Sequence, residues 1–255
     1  MNNFIKRYEM VFFFLLTYLL SWWSVPVLNG ALIPQGPAFA AVAVIALTIG
    51  RRGLREYWKQ LRAWRAGWWY LIAPLIIIGY TGAAFVINVG SGAALVEIPR
   101  LLSLGVFVQL LCFGGQWEEL GWTGYALPKL EERFAGRPNG TLMAVLVLGT
   151  FRALWHLPLF LAGKMYWFDI LVFSFAFQII IAWLYHRSGR SVPCVMLFHF
   201  VSNLTGAIMY PVFAGADRLV FYALFMSLAM VFALGLVWFS QFKFREVKVE
   251  PMGGR

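Results

Sequence analysis

Apolar residues in this chain gather in long unbroken runs, without the alternation of a half-buried strand. Eight runs stand out: about Met10–Leu28, Pro37–Gly50, Gly67–Asn88, Leu101–Leu127, Thr141–Ala162, Phe168–Tyr185, Ser191–Phe213 and Leu219–Gln241. Several approach the roughly 20 residues that cross a bilayer core. Strands of a membrane barrel would show a period of two, and these runs do not. The pattern predicts an all-α polytopic membrane bundle of about eight transmembrane helices. The second run is short, with a start between Leu32 and Pro37. One further segment, "RRGLREYWKQLRAWR", has a different period. Leu54, Tyr57, Trp58, Leu61 and Trp64 fall at helical spacing with cations between them. That pattern predicts a helix lying in the membrane interface. A calmodulin-like target helix shares the pattern, but the juxtamembrane position favours lipid.

Composition agrees about the solvent. The chain is 61% hydrophobic and 13% charged, against about 45–50% and 25% in ordinary globular domains. One integral-membrane domain spanning residues 1–255 is expected. If the N-terminus is cytoplasmic, 17 of the 21 Lys and Arg fall on cytoplasmic segments. They include Lys6 and Arg7, the six cations from Arg51 to Arg65, and Lys243, Arg245, Lys248 and Arg255 near the end. Such a bias predicts both termini inside. The net charge of +10 then faces anionic membrane lipid and requires no nucleic-acid partner. The first run is too long for a signal-peptide core and lacks an Ala-x-Ala site, so it is expected to remain attached. Cys112 and Cys194 lie within runs and form no CxxC or disulfide framework.

Candidate chemistry comes from ionisable residues inside the apolar runs. Glu118 and Glu119, in "QWEELGWTGY", are adjacent acids in the fourth run; Asp169 falls at the edge of another. A carboxylate in hydrocarbon costs at least a few kcal/mol, so such residues are rare without a task. His156 and His199 are intramembrane, with Asn203 four residues after His199 and Arg152 four before His156. Rise per residue places Glu118, His199 and His156 about 16, 13 and 22 Å from the cytoplasmic end of their helices. Convergence of these three helices would build a polar cavity. There a carboxylate and an imidazole could activate water, and an imidazole and an amide could stabilise an oxyanion. Alternatively, His156, His199 and Glu118 could hold a divalent metal such as Zn²⁺ with one position open. No HExxH helix is present, and peptide hydrolysis within the membrane fits this set best.

The motifs "EELGWTGYALP", "ALWHLPLF" and "FHFVSN" resemble, in order and spacing, those of the CPBP intramembrane proteases. That family, also called ABI, includes CAAX prenyl proteases and bacteriocin-processing or self-immunity proteins. The likeness runs from about Gly114 to Asn203, within a family-like core of about 101–213. It implies a hydrolase, glutamate-driven or a metalloprotease, in which Glu118 and His156 activate water. Glu119 belongs to the same motif, and His199 with Asn203 would form the oxyanion site. The substrate would be a peptide or protein, whether a prenylated CAAX protein, a leader peptide or a membrane-protein segment. The setting would be a multi-pass protein of a prokaryotic plasma (inner) membrane. Two positions depart from the pattern: Thr123 stands where the family has Arg, and Arg152 where it has an aromatic residue. The exchange predicts that Arg152 replaces the missing cation and pairs with Glu119. Two rival readings exist. A catalytically silent scaffold or immunity protein would tolerate Thr123, whereas a proton-coupled transporter would more often show inverted repeats and broken helices, neither of which the sequence shows.

Overall fold

The structure is a computed structural model that describes residues 2–100 and 102–240. Leu101, the end of the last run at Gln241 and the cations Lys243, Arg245, Lys248 and Arg255 lie outside the described residues. Every regular element described is a helix. Six are long and apolar enough to cross a membrane: α1 (Glu9–Val27), α4 (Trp69–Gly90), α7 (Gly140–Leu161), α8 (Asp169–Arg187), α9 (Val192–Met209) and α10, whose apolar span is Gly215–Phe239. Between α1 and α4 lie the shorter apolar α2 (Gly36–Thr48) and the amphipathic α3 (Arg51–Leu61). The fourth run of the sequence is a broken helix, made of α5 (Leu104–Phe113), a 3-10 turn at Gly115–Trp117 and α6 (118–133). Among the described residues, each of the eight apolar runs is mainly helical. The protein is a polytopic helical membrane bundle.

The helices sort their residues as a bilayer demands. Leu71, Leu75 and Ile78 on α4 and Val231, Leu234 and Trp238 on α10 face outward and are exposed. Small residues are among the buried ones: Ala73 and Ala84 on α4 and Ala229 and Ala233 on α10 are fully buried, and small side chains let helix backbones approach closely in lipid. Gly121 is a sharper case. A Cβ there would lie 2.3 Å from the backbone of Pro37, so α2 and α6 touch main chain to main chain.

Sidedness follows from the charges and is directly testable. Tags fused after Arg62 and after Glu250 are expected to report cytoplasm, and tags near Gly92 and Ala214 the opposite face. Finding Arg62 and Gly92 on one side would overturn the eight-span arrangement.

Candidate active site

The break in the fourth run builds the site. Gly114 is extended (φ −77°, ψ 166°); its N–H still serves the Leu110 carbonyl, but the carbonyls beyond it lose their helical donors, and no water in an apolar layer would satisfy them. Side chains supply the donors. Gln116 Nε2 donates to the carbonyls of Leu110 and Leu111, both at 2.8 Å. Trp117 Nε1 donates to Leu111 at 2.9 Å, and Gln35 Nε2 to Cys112 at 3.2 Å. The chain then restarts as α6, so Glu118 and Glu119 occupy its first turn. The partial positive charge of a helix N-terminus favours carboxylates there. The sequence, with no polar break but Gly-Gly, predicts a continuous helix at this point, and the structure corrects that reading.

The two carboxylates have different surroundings. Glu119 is fully buried. Its Oε1 accepts from the Arg152 guanidinium in an ion pair and from His199 Nδ1 at 2.7 Å. Its Oε2 accepts from Thr123 Oγ1 at 2.5 Å. Arg152, also buried, donates its other terminal nitrogen to Gln178 Oε1 at 3.0 Å and lies against the rings of Trp122 and Phe177. Glu118 is held more loosely. Its Oε2 stands 3.6 Å from Arg152 and has no hydrogen-bond partner.

His156 ends the regular part of α7, with Nδ1 2.9 Å from the carbonyl oxygen of Arg152. A carbonyl only accepts, so Nδ1 carries the hydrogen and Nε2 is left as an acceptor. His199 is fixed through Nδ1 by Glu119 in the same way. Its Nε2 approaches Gly115, where a Cβ would lie 2.4 Å from that nitrogen and 2.9 Å from Glu118 Oε1. Glycine leaves the space into which both groups reach.

Glu118, Arg152, His156, His199 and Asn203 all line one cavity of about 310 Å³. Leu32, Pro34 and Met165 border it. A second cavity of about 430 Å³ adjoins it, sharing Gly115, Phe173, Ser202 and Asn203, and is walled mainly by apolar side chains such as Phe221, Phe225 and Met226, with Asp169 and Thr205 also on its wall. The structure thus brings together all six residues singled out in the sequence; five border the cavity, and Glu119 stands behind it. Among the described residues, Glu118, Glu119 and His199 form a group whose ligand atoms lie within 4.8 Å of one another and could hold a metal ion. His156 stands outside that group, unlike in the trio read from the sequence. The Arg152 guanidinium already sits on Glu119 and near Glu118. A divalent cation does not fit beside it without moving it, because like charges repel strongly where water is excluded.

Sequence comparison gives this site its relatives. Residues 100–205 match the family model described as type II CAAX prenyl endopeptidase Rce1-like. Over these residues, less than half of the chain, it is similar to that family. A protein of Methanococcus maripaludis called CAAX prenyl protease 2 is 30% identical over 111 residues. That match covers 39% of this chain and 39% of the relative, so the chain spans about two-fifths of that protein's length. The matched segment includes every cavity residue named above except those of the bordering loop at Leu32 and Pro34 and the outer wall formed by α10.

Two participants escaped the sequence reading. Gln178, which anchors Arg152, is a lone amide in "FAFQIII", and its isolation in an apolar run was the available signal. The other is the Thr123 hydroxyl: the i, i+4 spacing puts position 123 on the face of Glu119, where an Arg would reach it, and the threonine itself bonds the carboxylate.

Proposed function

We propose that this protein is an intramembrane endopeptidase of the CPBP, CAAX-protease type, cleaving peptide bonds with a water molecule activated by Glu118. The observation that carries the reading is the asymmetry of the acid pair. Glu119 is saturated by Arg152, His199 and Thr123, whereas Glu118 borders the cavity and its Oε2 accepts no hydrogen bond.

In this mechanism Glu118 takes a proton from water, and His156 Nε2 accepts the water's other hydrogen and orients it. The resulting hydroxide attacks the scissile carbonyl carbon. The oxyanion meets the Asn203 amide beside the His199 ring, which the Glu119 carboxylate holds in place through Nδ1. Glu118 then gives its proton to the leaving nitrogen as the C–N bond breaks. No step needs a metal such as Zn²⁺, because Arg152 supplies the positive charge beside the carboxylates. The presence of that guanidinium on Glu119 also favours an active enzyme over a silent scaffold or self-immunity protein, since the departure at Thr123 is offset. The adjoining apolar cavity suits a substrate with an apolar or lipidated flank. A prenylated protein, as in the relative's name, and a hydrophobic leader peptide both meet that description. The protein would act in a prokaryotic plasma membrane.

The test is cleavage by the purified protein of a library holding prenylated and unprenylated CAAX peptides and leader peptides. Wild type is expected to cleave at least one class, and His156→Ala and His199→Ala none. Asn203→Ala should retain activity reduced about 10²–10³-fold, as for loss of one oxyanion donor. Chelation should leave the rate unchanged. Loss on chelation with recovery on Zn²⁺ would transfer the mechanism to a metal, and cleavage of nothing in the library would favour the scaffold.

A further inference from the structure

The amphipathic helix α3 does more than rest beside the bundle. Just beyond the acid pair, α6 widens to a π-helical turn over Trp122–Ala126, and such bulges disturb the backbone ladder and are frequent at functional sites. The buried side of α3 meets this turn. Tyr57 donates its hydroxyl to the carbonyl of Leu120, the residue after Glu119, at 2.5 Å. Gln60 donates to the carbonyl of Gly124 at 3.2 Å and to the Tyr185 hydroxyl of α8 at 3.0 Å. Contact is close enough that a Cβ at Gly124 would lie 2.9 Å from Leu61 Cδ2.

The opposite side of α3 and its extension carries Arg51, Arg55, Lys59, Arg62 and Arg65. All five are exposed and bear no ion pair among the described residues. Trp58, Trp64 and Trp68 flank them, also exposed. Cations beside exposed indoles suit the headgroup layer of an anionic membrane. One helix therefore joins a lipid-facing basic surface to the main chain that bears Glu118 and Glu119.

We propose that α3 is a lipid-sensing element. Anionic phospholipid headgroups bind its basic face, and the helix so seated holds the widened turn of α6 through Tyr57 and Gln60, keeping the acid pair in register with the cavity. Tyr57 and Gln60 are positioning residues, and the effect falls on turnover more than on substrate affinity. The activity readout rests on the proteolytic reading above; lipid retention and amide exchange do not.

The experiment compares the full-length protein in nanodiscs of phosphatidylcholine alone or mixed with phosphatidylglycerol. Native mass spectrometry counts retained phosphatidylglycerol, hydrogen exchange follows residues 118–126, and kinetics give kcat and KM. For wild type, the anionic lipid should be retained, slow exchange in that turn and raise kcat at least about fivefold, the lower end of ordinary coupling between sites. KM should hardly change. Replacing Arg51, Arg55, Lys59, Arg62 and Arg65 by Gln should abolish retention and stimulation while preserving basal turnover. Tyr57→Phe should keep the lipid but lose the exchange protection and the stimulation. Equal retention by wild type and the five-fold Gln variant would overturn the lipid site. Protection of Tyr57→Phe equal to wild type would overturn the coupling. If no substrate is cleaved at all, retention and exchange still decide the proposal.

Discussion

Arg152→Phe is expected to abolish cleavage and to lower the melting temperature of the detergent-solubilised protein. The guanidinium bridges Glu119 and Gln178 and lies 3.6 Å from Glu118. Removing it leaves two adjacent buried carboxylates without a nearby arginine, and breaking a buried ion pair in this way costs about 3–5 kcal/mol. The informative variant is the double one. Thr123 and Arg152 bond the same carboxylate from different helices. Thr123→Arg together with Arg152→Phe moves the cation from α7 to α6, the arrangement usual in the CPBP family. Most of the lost stability and activity should return, so the two substitutions should be strongly non-additive in a double-mutant cycle. Additive damage would mean that Arg152 acts by packing against Trp122 and Phe177 and not by its charge.

Glu118→Gln is expected to stop proteolysis with little effect on the fold. Glutamine keeps the shape of the side chain and can still face Arg152, but it cannot take a proton from water. Loss of a general base removes about 10²–10⁴-fold in rate, so cleavage by this variant should fall by at least that factor. The same change at Glu119 has a different origin and a different readout. It removes the charge that Arg152 and His199 share, so the protein should lose stability as well as activity.

Sequence alone carried the helices because hydrocarbon-length apolar runs have one common solution, and it carried the acid pair and histidines because ionisable groups in such runs need a reason. The Arg152–Glu119 contact could also be placed from sequence, since both residues sit one helical turn from a motif residue on helices that the motifs bring together. The broken helix was less legible. "CFGGQW" holds no charge and no proline, and its glycines read equally well as helix-packing residues. What turns them into a break is Gln116 folding back onto the carbonyls of Leu110 and Leu111, a contact with no periodic signature. The π-helical turn after Glu119 was illegible for a similar reason, because its partners Tyr57 and Gln60 lie more than sixty residues away.

The most direct measurement pairs single-turnover cleavage with thermal stability for Glu118→Gln and Glu119→Gln in one membrane mimic and on one substrate. The assignment of base to Glu118 and anchor to Glu119 predicts an inactive but wild-type-stable Glu118→Gln beside a destabilised Glu119→Gln. Cleavage by Glu118→Gln at the wild-type rate would contradict it.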